Sequence, residues 1–593
     1  MKKNSLLSVF FISAAFAASA SAPTVVWSNL FDGKTSAGDQ AENISVASDG
    51  SVYWHLLGGS NATEREISYG GQTLFEGAEY TGTSYSSNLC VLKTDADGNA
   101  LWNIHTSTCD AFSGQGNAAA TSDGGVVFTA KVRHSDGYLD RNLEIVDAAG
   151  NTTTFDWQVE RRYYRLLVGR ADKDGNMLWA KLFDVDHSVD GTSATDFIAE
   201  GFGIKALALD DNDNIYIGGN LRRTIDFDGH AVVPRNVAAW SGDSQKSAGS
   251  LFLVRLDGNG NYIGEAENSG DATSETIDRI HWADGRLYVH ATVFGNGSAL
   301  TAFGKTYTPE GDFTPVLACV DYNLDADWVR SFKGEKMSGS YGYQNVDFCV
   351  SAGSLYLAGM FNGTISDPAA GVSFASAAKS PREGFLAKLD IADGRLLKGV
   401  SSRDSYPLIT LLTGYVSVFQ NPKETDKVNV YGYVMNSSAG TFIRSYSSST
   451  LESSPETDAT TLATGGGVPT AISMAYAPKA GAAYFTMRGN NAFNFTSGTT
   501  EKPVNWGVCA ARVNLHTPQT TVEDAVAVGT RESLTATGRE GMLVISNPCD
   551  DCRVDVFDIC GRMIRTVNAV AGSTEIALMP GVYIVAGQKV MVR

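Results

Sequence analysis

Residues able to do chemistry are scattered along this chain, and few stand at the spacings that chemistry needs. The densest acidic runs are Asp95-Ala96-Asp97-Gly98 and Asp210-Asp211-Asn212-Asp213-Asn214. They crowd carboxylates and amides as calcium loops do, yet neither supplies a twelve-residue loop ending in a bidentate Glu. The same residues suit tight hairpin turns, because Asp, Asn and Gly tolerate positive φ. Turn chemistry is the favoured reading of both. The histidines are His55, His105, His134, His187, His230, His281, His290 and His516, with no His-x-His among them. His281 and His290 lie on two arms of one predicted hairpin, but no third ligand stands near them to complete a zinc site. Cys549 and Cys552 form a CxxC in a predicted turn after Asn547-Pro548, not at a helix start, which favours a local structural role over redox work. No Gly-x-Ser-x-Gly elbow, phosphate loop or dinucleotide fingerprint occurs. The catalytic residues are thus unknown at this level, and no metal or cofactor is expected.

The elements that would position any site are β-strands. A short apolar strand ends in Asp or Asn, a glycine-rich turn follows, and the next strand often carries Trp. Leu89–Asp95, Asp97-Gly98-Asn99 and Leu101-Trp102 form one copy. Leu166–Asp172, Asp174-Gly175-Asn176 and Leu178-Trp179 form another. Further copies begin at Leu251, Val316 and Phe385, with weaker ones at Phe442 and Val508. A second hairpin sits between these copies, clearest at Ile204–Leu209 and Ile215–Gly219; its sixth example, around Leu411–Phe419 and Val428–Tyr433, is degraded. Each unit offers four short strands that cannot bury both apolar faces alone, whereas neighbouring sheets can. The last unit, ending in Val508–Asn514, lacks its Trp-bearing strand, and an orphan of that kind stands at Val25-Val26-Trp27-Ser28-Asn29-Leu30. The expectation is an all-β chain: a seven-bladed β-propeller over 23–518, closed by the N-terminal strand, because radial closure leaves few exposed edges. Trp27, Trp102, Trp179 and Trp328 share one repeat position and are expected to pack between blades. Trp54, Trp240, Trp282 and Trp506 break that register. Insertions at Ser60–Ser87, Arg133–Arg162, Leu221–Ser250 and Phe361–Glu383 are expected to add hairpins and to decorate one rim. The second of these carries Trp157 and Arg161-Arg162-Tyr163-Tyr164.

Lys2 and Lys3, an apolar run from Leu6 to Ala18 and the small residues through Ala22 have the order of a secretory signal peptide over 1–22. No later stretch is long and apolar enough to suggest an integral membrane segment. An apolar fraction of 43% supports a large core despite 62 glycines. A net charge of -19 argues against nucleic-acid partners, which need a cationic surface to offset phosphate. Cys90 and Cys109 flank the turn at Gly98-Asn99, which would let them face each other across two strands and pair.

After Pro518 the pattern changes. An acidic, polar linker over 519–540 leads to short apolar strands in 541–593 that read as a small β-sandwich. Asn547-Pro548, Val554-Asp555-Val556-Phe557-Asp558-Ile559-Cys560-Gly561-Arg562 and Leu578-Met579-Pro580-Gly581-Val582-Tyr583-Ile584-Val585 resemble the C-terminal secretion and sorting domain of Bacteroidetes proteins. Cys560 and the Cys549/Cys552 pair depart from that pattern. The resemblance implies export through a type IX system, with that machinery as a partner and the outer cell surface or extracellular space as destination; the periplasm is the alternative. The repeats more weakly resemble those of uncharacterised bacterial propellers.

Two function classes follow. One is a noncatalytic binding or interaction protein, recognising a glycan or envelope component. The other is a glycan-active hydrolase or lyase whose carboxylates come from different blades.

Overall fold

The structure is a computed structural model that describes residues 23–33, 39–60, 65–77, 86–107, 109–134, 142–156, 164–186, 202–234, 249–270, 274–294, 298–336, 343–351, 353–376, 383–401, 416–421, 424–434, 440–453, 459–465, 470–504, 506–515, 535–539, 541–547, 552–558, 563–570, 572–585 and 588–592. Among these residues every regular element is a β-strand, and no helix is long and apolar enough to cross a membrane. The expected signal peptide, Trp157, Trp240, Arg161 to Tyr163, Cys549 and Cys560 lie outside the described residues, as does most of the expected linker.

Pro23–Leu515 forms one compact unit. Its recurring element is an antiparallel four-strand run in which each strand pairs with the next. Gln40–Val46, Val52–Ser60, Ser86–Thr94 and Ala100–Thr106 make the first. The turns inside a run use positive φ where the sequence offers glycine, as at Gly50 (φ +89) and Gly98 (φ +83). In the last run, Thr470–Ala477, Ala482–Gly489 and Gly507–Asn514 are joined by Thr24–Asp32 from the other end of the unit. Val25 faces Val513, Trp27 faces Arg512 and Leu30 faces Cys509 in that pairing. Apolar cores form where successive sheets stack face to face. Tyr53 and Val91 of the first sheet meet Phe128 and Leu167 of the next, and Tyr484 and Val508 of the last sheet meet Trp54 and Leu92 of the first.

A polar clasp recurs beside these cores. Two residues before the turn aspartate stands a cation: Lys93, Arg170, Arg255, Lys388 or, before Asn514, Arg512. Each reaches a backbone carbonyl in the first hairpin-turn position of the neighbouring sheet. Lys93 Nζ and Trp102 Nε1 both donate to Lys173 O, each at 3.0 Å. Arg170 Nη1 and Trp179 Nε1 donate to Gly258 O at 3.0 and 3.1 Å. Arg512 Nη1 and Trp27 Nε1 donate to Ala96 O, each at 3.1 Å. Arg255 reaches Tyr322 O at 2.7 Å and Lys388 reaches Ser448 O at 2.9 Å. Trp rings lie on the turn glycines: a Cβ on Gly98 would stand 2.8 Å from the Trp27 ring, and one on Gly260 would stand 2.8 Å from Trp179. The periodic tryptophans therefore do pack between sheets.

The insertions do more than decorate a rim. Glu66–Tyr69 with Gln72–Glu76 pairs onto Thr24–Asp32, and Leu143–Val146 with Thr152–Phe155 pairs onto Ala100–Thr106. Ile225–Asp226 with Ala231–Val232 pairs onto Met177–Val185. Each hairpin thus extends the outer edge of the preceding sheet, saturating backbone groups that would otherwise be an open edge.

The expected facing of Cys90 and Cys109 is overturned. Cys90 stands opposite His105, whereas Cys109 opens the first strand of the next sheet, Cys109–Ala120; both are buried free thiols. Cys109 Sγ instead donates to Thr106 Oγ1 at 2.9 Å.

The second unit is built from two antiparallel sheets. Thr535–Arg539, Met542–Asn547 and Gly572–Ala577 form one. Met563–Ala569, Cys552–Asp558, Gly581–Val585 and Gln588–Val592 form the other. Leu543, Ile545, Val556, Val585 and Val592 share one core.

The clasp separates backbone strain from ring contact. Gly50→Ala and Gly98→Ala place an L-residue at nearly the same φ, costing about 1 kcal/mol, but a Cβ at Gly50 meets nothing within 4 Å. Gly98→Ala is expected to lose about 2 kcal/mol more than Gly50→Ala, and Trp27→Ala about 3 kcal/mol in total, by urea unfolding. Equal losses for the two glycines would show that the Trp27 ring does not rest on the turn.

Candidate functional site

The leading strands of the four-strand runs are Gln40–Val46, Cys109–Ala120, Phe202–Leu209, Ser274–Ala283, Tyr343–Ser351, Ser417–Phe419 and Thr470–Ala477. All of them line one cavity of about 440 Å³. Alternation along a strand should direct its small and apolar residues into the sheet stack and its polar ones away. Nearly every leading strand breaks that alternation near its start. Register shifts fall between Ala41 and Asn43, Ala111 and Gly116, Ile204 and Ala206, Ile277 and Arg279, Gln344 and Asp347, and Ala471 and Ser473. A bulge leaves one or more residues unpaired and re-aims the side chains beside it. Here it frees Glu42, Gln115, Lys205 and Asp278 from the ladder.

These groups lace neighbouring leading strands together. Burial pushes the Glu42 carboxyl up to about 8, against the backbone N–H groups of Gly114 and Gln115 and the charges of Arg488 and Lys205. Glu42 keeps some exposure to the cavity, but the enclosing walls leave little solvent to stabilise its charge. Asn43 Oδ1 accepts from Ala118 N at 3.2 Å, and Ser45 Oγ from Ala120 N at 2.9 Å. Gln115 Oε1 accepts from Ile204 N at 2.6 Å. Arg279 Nη1 donates to Lys205 O at 3.5 Å, while its Nε lies 3.7 Å from Asp347 Oδ1. Asp347 Oδ2 accepts from Val418 N at 3.1 Å, and burial raises that carboxyl against the opposing pull of Arg279 and His281. Tyr476 Oη donates to Asn421 Oδ1 at 2.8 Å. Two carboxyl groups, Glu42 and Asp347, thus line the cavity, each in its own setting of donors and charges.

The acidic turns are closed on themselves. Asp95 Oδ1 accepts from the N–H groups of Asp97 and Asn99, both at 2.9 Å, and its Oδ2 accepts from Asn99 Nδ2 at 2.8 Å. Asp210 repeats this with Asn212 and Asn214. Partial burial raises the Asp95 carboxyl, but the bonds from Asn99, Asp97 and Gly98 outweigh it and hold the group below the usual range. Asp172 and Asp257 are lowered by equivalent bonds over the same opposing burial. Among the described residues no group of three or more His, Cys, Asp or Glu is placed to hold a metal.

His281 and His290 do not meet. His281 is paired with Tyr288 and packs edge-on against Phe348, whereas His290 is paired with Arg279. His290 Nε2 lies 2.9 Å from Tyr343 Oη and its Nδ1 3.5 Å from Asp278 Oδ2; burial nevertheless pushes the imidazole down to about 4. Of the tryptophans out of register, Trp54 is buried between Trp27 and Tyr484 and donates to Thr94 Oγ1 at 3.0 Å. Trp506 lies under the Arg488 guanidinium. Trp282 stacks on Tyr216 and lines the cavity. The cavity's charged residues belong to no motif. Their one sequence signal is a charge interrupting an apolar leading strand, as in Ala41-Glu42-Asn43-Ile44, Ile204-Lys205-Ala206 and Ile277-Asp278-Arg279-Ile280.

No protein-family model matches the chain, and no curated protein matches it by sequence. Among solved structures it is similar to a eukaryotic initiation factor, with TM-score 0.33, 8% identity, 82% of this chain and 98% of that one covered. An exo-β-1,3-galactanase from Clostridium thermocellum gives TM-score 0.23 and 10% identity over 79% of this chain and 92% of that one. Bacillus subtilis levansucrase gives TM-score 0.24 and 11% identity over 61% and 86%. With TM-scores this low, the likenesses bring neither activity nor ligand to this chain.

The two kinds of carboxyl set opposite limits on stability. The turn aspartates contribute fully above the ordinary carboxyl range, and their contribution is lost as pH falls through their lowered values. Burial raises Asp39 to about 8 over the bonds from Gly33 and Gly59, and Glu275 to about 7 over its bond from Leu251. Those groups and Glu42 bind a proton more tightly in the folded chain. Their stabilising effect is full below about pH 4 and is lost as pH rises towards 7 to 8. Burial holds His55, His105 and His290 down to about 4, so these groups add stability as pH rises to about 6.5 and oppose that loss. Melting temperature is therefore expected to change little between pH 5 and 6.5 and to fall from there towards pH 8, with Glu275→Gln flattening that fall. A melting temperature that climbs from pH 6.5 to pH 8 would refute the burial argument.

Proposed function

We propose that this chain is an exported, noncatalytic binding protein, recognising a glycan or another envelope component. Its body is then a seven-bladed β-propeller closed by Thr24–Asp32, followed by a C-terminal β-sandwich that serves export or surface attachment. The pairing of Thr24–Asp32 with Gly507–Asn514 supports closure, as do the bonds from Trp27 and Arg512 to Ala96 O. So does the succession of leading strands, each beside the next, with Gln40–Val46 beside Thr470–Ala477. Delivery to the outer surface or extracellular space, with the periplasm as alternative, rests on the first 22 residues and the C-terminal resemblance.

One observation carries the noncatalytic reading: both carboxyl groups on the cavity wall, Glu42 and Asp347, are engaged between neighbouring strands. Glu42 faces two backbone N–H groups, Gln115 and Asp347 each accept another, and Arg279 is shared between a carbonyl and a carboxylate. Groups held in this way brace a scaffold and would have to break those bonds to move protons. A second reading, a glycan-active hydrolase or lyase, draws on Glu42. A carboxyl pushed up to about 8 stays protonated at neutral pH, as a general acid must.

A glycan array probed with the chain from residue 23 onward, with product analysis on every hit, separates the two. Binding without product is expected. Product formation abolished by Glu42→Gln would favour the hydrolase or lyase, and neither binding nor turnover across host and bacterial polysaccharides would overturn both.

A further inference from the structure

The cavity between the leading strands does not share the negative excess of the chain. Its wall carries Lys205, Arg279, Glu42, Asp347 and His281. Arg279 and Asp347 lie 3.7 Å apart and offset each other. Enclosure pushes the Glu42 carboxyl up to about 8 against the pull of Lys205 and Arg488, and shifts the His281 imidazole downward. Lys205 makes no ion pair among the described residues, and its side chain is exposed on the cavity wall. The bulge between Ile204 and Ala206 places it there, out of the strand ladder. An exposed ammonium without an ion-pair partner among the described residues therefore stands in a small concave space, within a protein of net charge -19.

The rest of the wall has the chemistry of a sugar site. Asn117 contributes an amide, and Ser473 a hydroxyl. The Trp282 indole, held by its stack on Tyr216 at 5.8 Å, contributes an aromatic surface. Hydroxyl-rich rings are recognised by such a combination of amides and aromatic faces, and a ligand pocket usually spans about 300 to 1,000 Å³. At about 440 Å³ this cavity falls at the small end, suited to one or two sugar rings.

We infer that the cavity binds a carboxylate-bearing sugar, with Lys205 as the contact for its carboxylate. The inference rests on the binding reading above and narrows its ligand to a sugar acid. Nothing covalent happens: the carboxylate exchanges water for the ammonium, in a confined space where the charge is less screened than on an open surface. The sugar acid could be free or could be a residue of a polyuronate, so both sources belong in the test.

The experiment is titration calorimetry of the chain from residue 23 onward, at pH 7 and low salt, with D-glucuronate, D-glucose and tetragalacturonate. Glucuronate is expected to bind at least tenfold more tightly than glucose. Lys205→Met is expected to lose at least tenfold in affinity for the acids while leaving glucose binding and the melting temperature unchanged, because the bond from Arg279 goes to the Lys205 backbone carbonyl. A tetramer at least tenfold tighter than the monomer points to a polymer residue, and equal affinities point to a free sugar acid; both support the site. Glucose binding as tightly as glucuronate would overturn the inference, as would Lys205→Met leaving acid binding unchanged. If neither acid binds but the glycan array detects neutral glycans, the sugar-acid site fails while the binding reading stands. An array without hits removes both.

Discussion

The backbone carbonyl just after the aspartate of a hairpin turn is asked to accept from two donors at once, a cation and an indole N–H of the neighbouring sheet. Ala96 O, Lys173 O and Gly258 O each do so. That demand fixes several residue types together. The aspartate must accept from the next two alternate N–H groups, so that the turn holds its carbonyl outward. The fourth turn position must be glycine, both for its positive φ and because the indole lies where a Cβ would stand. The cation must be long enough to cross the gap between sheets, and Lys93 is almost fully buried in doing so. Bonds from a charged donor contribute about 1.5 to 3 kcal/mol each, and a buried ammonium without them would be costly. Apolar stacking supplies most of the cohesion between sheets, but it has no direction. The clasp supplies the register.

With one end of the sheets held in this way, the other end of the leading strands is released from the same demand. The bulges lie there, away from the hairpin turns, and the residues they free are chemically diverse: Glu42, Gln115, Lys205 and Asp278. Glu42 and Gln115 bond across to the next leading strand, replacing ladder bonds that the bulge forfeits, and Asp278 accepts from Thr292 within its own sheet. Lys205 does neither. A scaffold that repeats its bracing and varies its bulges can change what lines the cavity without changing how the sheets stack.

Much of this was legible in the sequence because it repeats. The strand, aspartate, glycine and tryptophan order recurs at the same spacing, and Trp27 without a preceding strand pointed to the partner it has in Gly507–Asn514. The acidic turns were also read correctly as turns, since their carboxylates are consumed by their own backbone. The cavity was not legible, because a bulge is a local mismatch between two strands and only one of the two is visible at a time. Ala41-Glu42-Asn43-Ile44 reads as an ordinary polar interruption until its partner Leu56-His55-Trp54 is laid beside it. Cys90 and Cys109 misled for a related reason. Sequence spacing suggested one hairpin, whereas the chain leaves the sheet after Thr106 and Cys109 already belongs to the next. The insertions hid their role too, since their hairpins pair backward onto a sheet already completed.

Net charge is a poor guide to what such a protein binds. Many of its acidic groups are turn aspartates whose charge is committed to local N–H donors and held in the ionised form by them. The acidic groups near the leading strands behave oppositely, because burial there costs more than the available donors return, and Glu42 is pushed towards neutrality. The same residue class therefore contributes a negative surface at the turns and a weakened negative charge in the cavity. An anion near the surface meets the first population and an anion within the cavity meets the second, beside the exposed Lys205 ammonium. Net charge is a sum over the sequence, whereas recognition depends on a local balance that such a sum averages away.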